Sequence, residues 1–119
     1  MQRSDTDAVL RRFNDVFLKH DPAPLAELVA PECVIENTVP APDGARYEGK
    51  AACIALWTSI AIQPGTFFEP EDVTVMGERG IIRWRYHWGP DQQSSVRGVN
   101  LMRVESGLIV EAMGYVKGA

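Results

Sequence analysis

The second half of this chain has room for little except strands. From Phe67 to Lys117, β-rich blocks follow one another, and each ends at a short turn signal. The blocks cover residues 67–76, 81–88, 95–105 and 108–117. Gly77-Glu78-Arg79-Gly80 and Ser106-Gly107 read as tight turns, and 89–94 as a polar loop. Connections this short join antiparallel neighbours. The expectation is therefore an antiparallel meander. Pro70 interrupts the first block, so that part is an edge or irregular, because proline donates nothing to a ladder.

Helical periodicity is confined to the residues before this run. A helix is expected over 4–19, with Ser4 as its cap and Asp7 three residues on. Val9, Phe13, Val16 and Phe17 share one face, and Leu10 widens it. Arg11, Arg12, Asn14 and Asp15 fill the other side. His20 follows at the C-terminal end, where a solvated place near the helix dipole is expected. Asp21-Pro22-Ala23-Pro24 breaks the chain and restarts it, with Asp21 as the cap. A short helix would bury Leu25, Leu28 and Val29, and Pro31 would end it. Residues 33–37 read as a strand and 38–47 as a loop turning at Asp43-Gly44. A third helix over 50–62 has Ala52, Leu56 and Ile60 along one side, with Trp57 beside them. Helices first and a meander afterwards argue an α+β fold, with the helices on one face of a curved sheet. The 119 residues suit one domain, 1–119.

Charge and composition narrow the function. Twelve Lys and Arg against sixteen Asp and Glu leave a formal charge of −4. A nucleic-acid module normally carries a basic excess to displace phosphate counterions, so that class is disfavoured. No apolar run approaches the roughly 20 residues of a membrane span. The N-terminal sequence lacks the pattern of a secretory signal, and a cytoplasmic protein is expected. Cys33 and Cys53 sit in apolar contexts and read as buried thiols; no CxxC is present. There is no HxH, HExxH, glycine-rich phosphate loop or G-x-S-x-G elbow, so neither a metal nor another cofactor is expected.

Two segments carry a resemblance. "ARYEGKAACIALW" is similar to the loop–Gly–helix segment, and "VRGVNLMRVESGLIVEAMGYVK" to the closing hairpin, of one superfamily. Its members include nuclear transport factor 2, ketosteroid isomerase, scytalone dehydratase and the SnoaL-like polyketide cyclases. The resemblance extends along nearly the whole chain. It implies a cone-shaped α+β barrel: three N-terminal helices packed on a strongly bent antiparallel sheet, with a pocket at the open end. It also implies a homodimer through the outer face of the sheet. Carried over by position, the carboxylate base of the isomerase falls on Asn37. Its tyrosine donor falls on Phe13, its protonated aspartate donor on Asn100, and a supporting tyrosine on Trp57. An amide does not take a proton from carbon near neutral pH, although it donates and accepts hydrogen bonds. Ketosteroid isomerisation is therefore not expected, while Asn37 and Asn100 remain candidates to orient a carbonyl or hydroxyl.

"RWRYHWG" (83–89) raises the remaining question. Arg83, Arg85 and His87 share one strand face, and Ile82, Trp84, Tyr86 and Trp88 the other. Overlay on the isomerase turns the cationic face inward, whereas hydrophobic parity turns the aromatic face inward. With the overlay followed, His87 is the expected acid/base, with Glu36, Asp43 or Glu111 as its partner, and Arg85 contacts the ligand. A strand histidine half exposed outside is the plainer alternative. Met102, on the row of Asn100, and the small residues Ala112 and Gly114 would complete the pocket wall, or Met113 and Tyr115 instead. With the aromatic face inward, Trp84, Tyr86 and Trp88 become the wall and the protein reads more as a binder. Arg97, Val99, Leu101 and Arg103 form the opposite row, suited to a dimer interface. Three functions stay open. One is a cofactor-free isomerase, cyclase, dehydratase or hydrolase acting on a small apolar organic molecule. The others are a non-catalytic binding protein and a protein-interaction module.

Overall fold

The computed structural model describes residues 3–118, with side chains from residue 5 onward. Helix α1 spans Arg3–Leu18. Its start lies one residue before the expected one, and the Ser4 side chain proposed as a cap falls outside the described residues. Val9, Leu10, Phe13, Val16 and Phe17 are all buried, as their shared face requires. His20 is not simply solvated. Its Nδ1 lies 2.8 Å from the carbonyl oxygen of Ala61, and because a carbonyl only accepts, Nδ1–H donates. That bond ties the end of α1 to the end of α3 (Lys50–Ala61).

Helix α2 is one turn, Leu25–Leu28. Asp21 does not cap it; its carboxylate accepts the Ala23 N–H at 3.0 Å, closing the preceding turn. The chain leaves α2 earlier than expected. Strand β1 runs Val29–Glu36, so Val29 and Pro31 belong to a strand and not to a helix end. Proline is tolerated there because the register of β1 shifts between Val29 and Val34. A three-residue strand, β2 (Arg46–Glu48), pairs antiparallel with β1 inside the stretch expected to be all loop. The later strands are β3 (Phe67–Met76), β4 (Arg79–Trp88), β5 (Ser94–Glu105) and β6 (Leu108–Val116).

One six-stranded sheet results, in the order β2-β1-β6-β5-β4-β3. The meander β3 to β6 is antiparallel throughout, but β1 runs parallel to β6. The sheet is therefore mixed, which corrects the expectation of a purely antiparallel one. The parallel pair arises because β1 joins the meander from the far end of the chain, with no hairpin to set its direction. All three helices precede the meander, with β1 between α2 and α3 where an early strand was expected and β2 added beside it. Helix α1 packs on β3 and β4, and α3 on β1 and β2. Between them and the sheet lie Leu10, Leu25, Leu28, Cys33, Cys53, Met102, Val104 and Ile109, all sealed from solvent.

Candidate functional site

The orientation of β4 decides what faces the helices. Its pairing with β5 is unbroken from Arg79–Arg103 to Trp88–Ser94, so its side chains alternate without a change of phase. The irregularity lies in β3, where Glu71 is the extra residue between Pro70 and Asp72. Ile82 (2% exposed) and Trp84 (7%) consequently point toward α1, and Arg83 points away. Hydrophobic parity prevails over the overlay.

His87 and Arg85 are thereby on the wrong face for the roles expected of them. His87 is 3.0 Å from Glu69 through Nε2 and lies against Phe67, both on the edge strand β3. Its partner is none of the three expected: Glu36 pairs with Arg46, Glu111 pairs with Arg79, and the His87 ring nitrogen meets Glu69 rather than Asp43. Arg85 donates to the Ser95 hydroxyl at 2.9 Å.

Between α1, α3 and the inner face is a cavity of about 70 Å³. Phe13, Asn14 and Phe17 come from α1, and Trp57 and Ile60 from α3. The sheet supplies Phe68, Pro70, Ile82, Trp84 and Asn100, and Asn37 and Thr38 close one side just after β1. The aromatic walls meet edge to face: Phe13 against Trp57 at 4.8 Å, Phe17 against Phe68 at 5.6 Å, Phe68 against Trp84 at 5.1 Å. No side chain that titrates near neutral pH is among these lining residues.

The two amides have defined polarity. The Trp84 indole N–H donates to Asn100 Oδ1 at 3.2 Å. An indole only donates, so the atom facing it is the carbonyl oxygen, and the Asn100 NH₂ is turned elsewhere. The backbone N–H of Thr38 likewise donates to Asn37 Oδ1 at 2.9 Å. Neither NH₂ group meets an acceptor among the described residues. Register sets these amides on either side of Gly114, which pairs with Asn100 and follows Met113, the partner of Glu36. A methyl group at Gly114 would lie 3.0 Å from Thr38 Cγ2 and 3.3 Å from Asn100 Oδ1. Glycine avoids those contacts, but Gly114 itself, expected in the pocket wall, is not among the residues that line the cavity.

Of the other expected wall residues, Phe13 and Trp57 border the cavity. Met102 and Ala112 do not. They pair with each other across β5 and β6 and are buried in the core, because their row points into the packing of the helices. Trp84 is the wall residue that the inward aromatic face implies, whereas Tyr86 and Trp88 stay outside the lining; Asn14, Phe17, Thr38, Ile60, Phe68, Pro70 and Ile82 were not anticipated. The α1 stripe pointed to Phe17, and strand parity to Ile82 and Trp84. Asn14 reads in sequence as solvated helix surface.

The thiols offer no nucleophile. Burial, reinforced by the neighbouring Cys53, pushes the Cys33 thiol far above its ordinary range, and burial raises Cys53 too. The Cys53 thiol donates to the Cys33 carbonyl at 3.4 Å. Among the described residues no group of three or more His, Cys, Asp or Glu is placed to hold a metal ion. No helix there is long and apolar enough to cross a membrane.

A mixed sheet with helices packed over its inner face defines an α+β domain. The comparisons agree on that fold. Residues 10–112 match the SnoaL-like domain, and the chain belongs to that family. A crystal structure of an NTF2-like protein of unknown function from Mesorhizobium loti is 64% identical. It has a TM-score of 0.93, over 99% of this chain and 95% of that one. A steroid delta-isomerase from Pseudomonas aeruginosa shares the fold at 15% identity and TM-score 0.78, over 96% and 80% of the two chains. A protein of unknown function with a cystatin-like fold, from Methylobium petroleophilum PM1, does so at 18% and 0.81, over 100% and 80%. No curated protein matches the sequence.

Proposed function

We propose that this protein binds a small, neutral, largely apolar organic molecule in the cavity. The amide NH₂ groups of Asn37 and Asn100 would grip a carbonyl or similar acceptor on it. The observation that carries this reading is the chemistry of the lining: aromatic walls, two amides whose oxygens are already engaged, and no acid or base. An anion would enter without a compensating charge, and an ammonium would meet donors. A cavity of about 70 Å³ is well below the roughly 300–1,000 Å³ of drug-sized sites, so the ligand has few heavy atoms. The Asn14 amide and the Thr38 hydroxyl donate or accept, and adapt to either polarity.

The binding reading stands ahead of the enzymatic one because general acid–base chemistry needs a titratable group within reach, and His87 is on the opposite face. A second reading keeps some support. The unengaged NH₂ groups of Asn37 and Asn100, two lining residues of one cavity, would stabilise a developing oxyanion, as a cofactor-free isomerase, cyclase, dehydratase or hydrolase requires. The same proposal takes the sheet as a cone closing around α1. The irregularities at Glu71 and between β5 and β6 support it, because bulges bend strands. It also takes the protein as a cytoplasmic homodimer, with two unbridged thiols suited to a reducing compartment.

The test uses cyclopentanone and cyclopentylamine, matched in size and opposite in polarity. Binding is read by quenching of Trp57 and Trp84 and by thermal shift. A ligand at 100 times its Kd adds about 2.7 kcal/mol of stability. The ketone is expected to bind and the amine not. Asn100→Ala should weaken the ketone at least about tenfold, whereas His87→Ala should leave it within about twofold. Equal binding of both compounds, or of neither, would overturn the assignment.

A further inference from the structure

The cavity shares two of its residues, Asn14 and Pro70, with a wider cleft of about 540 Å³ on the outside. That cleft runs between α1 and β3, past Arg11, Leu18 and Asp72. Two further surface grooves among the described residues, one on the outer face over β5 and β6 and one beside the end of α1, share no residue with the cavity. We propose that ligands reach the cavity from this cleft, through a throat between Asn14 and Pro70, and that Asn14 sets the size admitted.

Three features of the chain converge on that throat. Strand β3 is the edge of the sheet, so no further strand covers its flank. Its bulge falls at Glu71, directly after Pro70, where the ladder to β4 is interrupted and the strand bends. Pro70 has no N–H, so at this point the edge offers no backbone donor to hold α1 against it. On the other side, Asn14 is half-buried and its amide makes no hydrogen bond among the described residues. It is the polar residue of α1 that touches both spaces, and its neighbour Phe13 is sealed inside. An amide with no protein hydrogen bond, at a neck between an apolar cavity and an open cleft, can be displaced without breaking one. The inference rests on the cavity being a ligand site, but its test needs no ligand.

Ile82 lines the cavity and is 2% exposed, so Ile82→Cys puts a thiol where only a reagent inside the cavity can reach it. The thiolate displaces methanesulfinate from methyl methanethiosulfonate and forms a mixed disulfide, counted at position 82 by peptide mass. The native thiols are sealed and supply the blank. In this background Asn14→Trp should slow labelling at least about tenfold. Val39→Trp, an equal bulk on an exposed residue outside the lining, should leave it within about twofold. Because a bulky variant can perturb folding, Asn14→Ala gives the opposite sign: it keeps the helix, widens the neck and should speed labelling severalfold. No labelling in any background, indifference to both Asn14 variants, or slowing by Val39→Trp instead would each overturn the route. Cyclopentanone is then added to the unplugged protein. Failure to protect position 82, with the Asn14 effects intact, keeps the route and removes the ligand assignment.

Discussion

At the scale of single residues, the site depends on a contact between strands. Trp84 reaches Asn100 because the residue opposite Trp84 on β5 is Gly98. A methyl group at Gly98 would lie 2.5 Å from the indole edge and 2.5 Å from the Tyr115 carbonyl oxygen. Neither the ring nor the backbone can yield that much without displacing a neighbour. Gly98→Ala is expected to destabilise by about 1–3 kcal/mol, as overpacking does, and to shift tryptophan emission as Trp84 leaves Asn100. Urea unfolding followed by fluorescence checks both; an unchanged midpoint with unchanged emission would show that the ring has room. The resemblance led to Asn37, Asn100, Phe13 and Trp57 by position. It could not show which amide atom is engaged, because that depends on a donor sixteen residues away in sequence.

At the scale of elements, the lesson of β4 is that a strand's phase is set by its own apolar row unless a bulge intervenes. Ile82 and Trp84 obey it, and the bulge of this part of the sheet lies in β3, so nothing turns His87 inward as the overlay implied. The meander was legible because its turns are local, whereas β2 and the parallel seat of β1 come from pairings far apart in sequence. The bulge has a second consequence. Glu71 projects outward and accepts two bonds from Arg97 on β5, both at 3.0 Å, across the intervening β4. These bonds, with Arg97, Arg85 and Arg83 as nearby charges, hold the Glu71 carboxyl below the ordinary value of 4.5. A carboxyl depressed in the folded state adds stability that is complete above its unfolded pKa and fades as pH falls through the folded one. Glu71→Gln should therefore be less stable than the parent at pH 7, with the gap closing in acid. Urea midpoints between pH 7 and pH 2.5 test this, and a pH-independent gap would mean the pin is not electrostatic.

At the scale of the whole molecule, the outer face of the sheet is the surface without a covering layer. Register places Ile81, Leu101 and Met113 side by side across β4, β5 and β6, and Val99 beside Tyr115 in the next row. Ile81 (38% exposed), Leu101 (39%) and Tyr115 (56%) leave much apolar surface in water. Cations flank this ribbon. Arg83 and Lys117 border the groove beside Tyr115, and Arg79 and Arg103 lie at the other end, paired with Glu111 and Glu105. An apolar centre with a charged rim is the anatomy of a protein interface. A chain with net charge −4 repels its own copies only weakly at physiological salt, so association through this ribbon meets little electrostatic opposition. The proposed dimer makes a definite forecast. Light scattering at micromolar concentration should give twice the 13.2 kDa chain mass. Leu101→Glu puts a charge at the centre of the ribbon, where in the dimer it would be buried against its own symmetry mate, and should yield a monomer. Because position 101 is exposed in the single chain, the monomer should keep its far-ultraviolet dichroism and its cavity, so ketone binding separates lost association from lost folding. A parent that runs as a monomer across this range would remove the dimer and leave the ribbon without a partner. A dimer unmoved by Leu101→Glu would assign association to another surface.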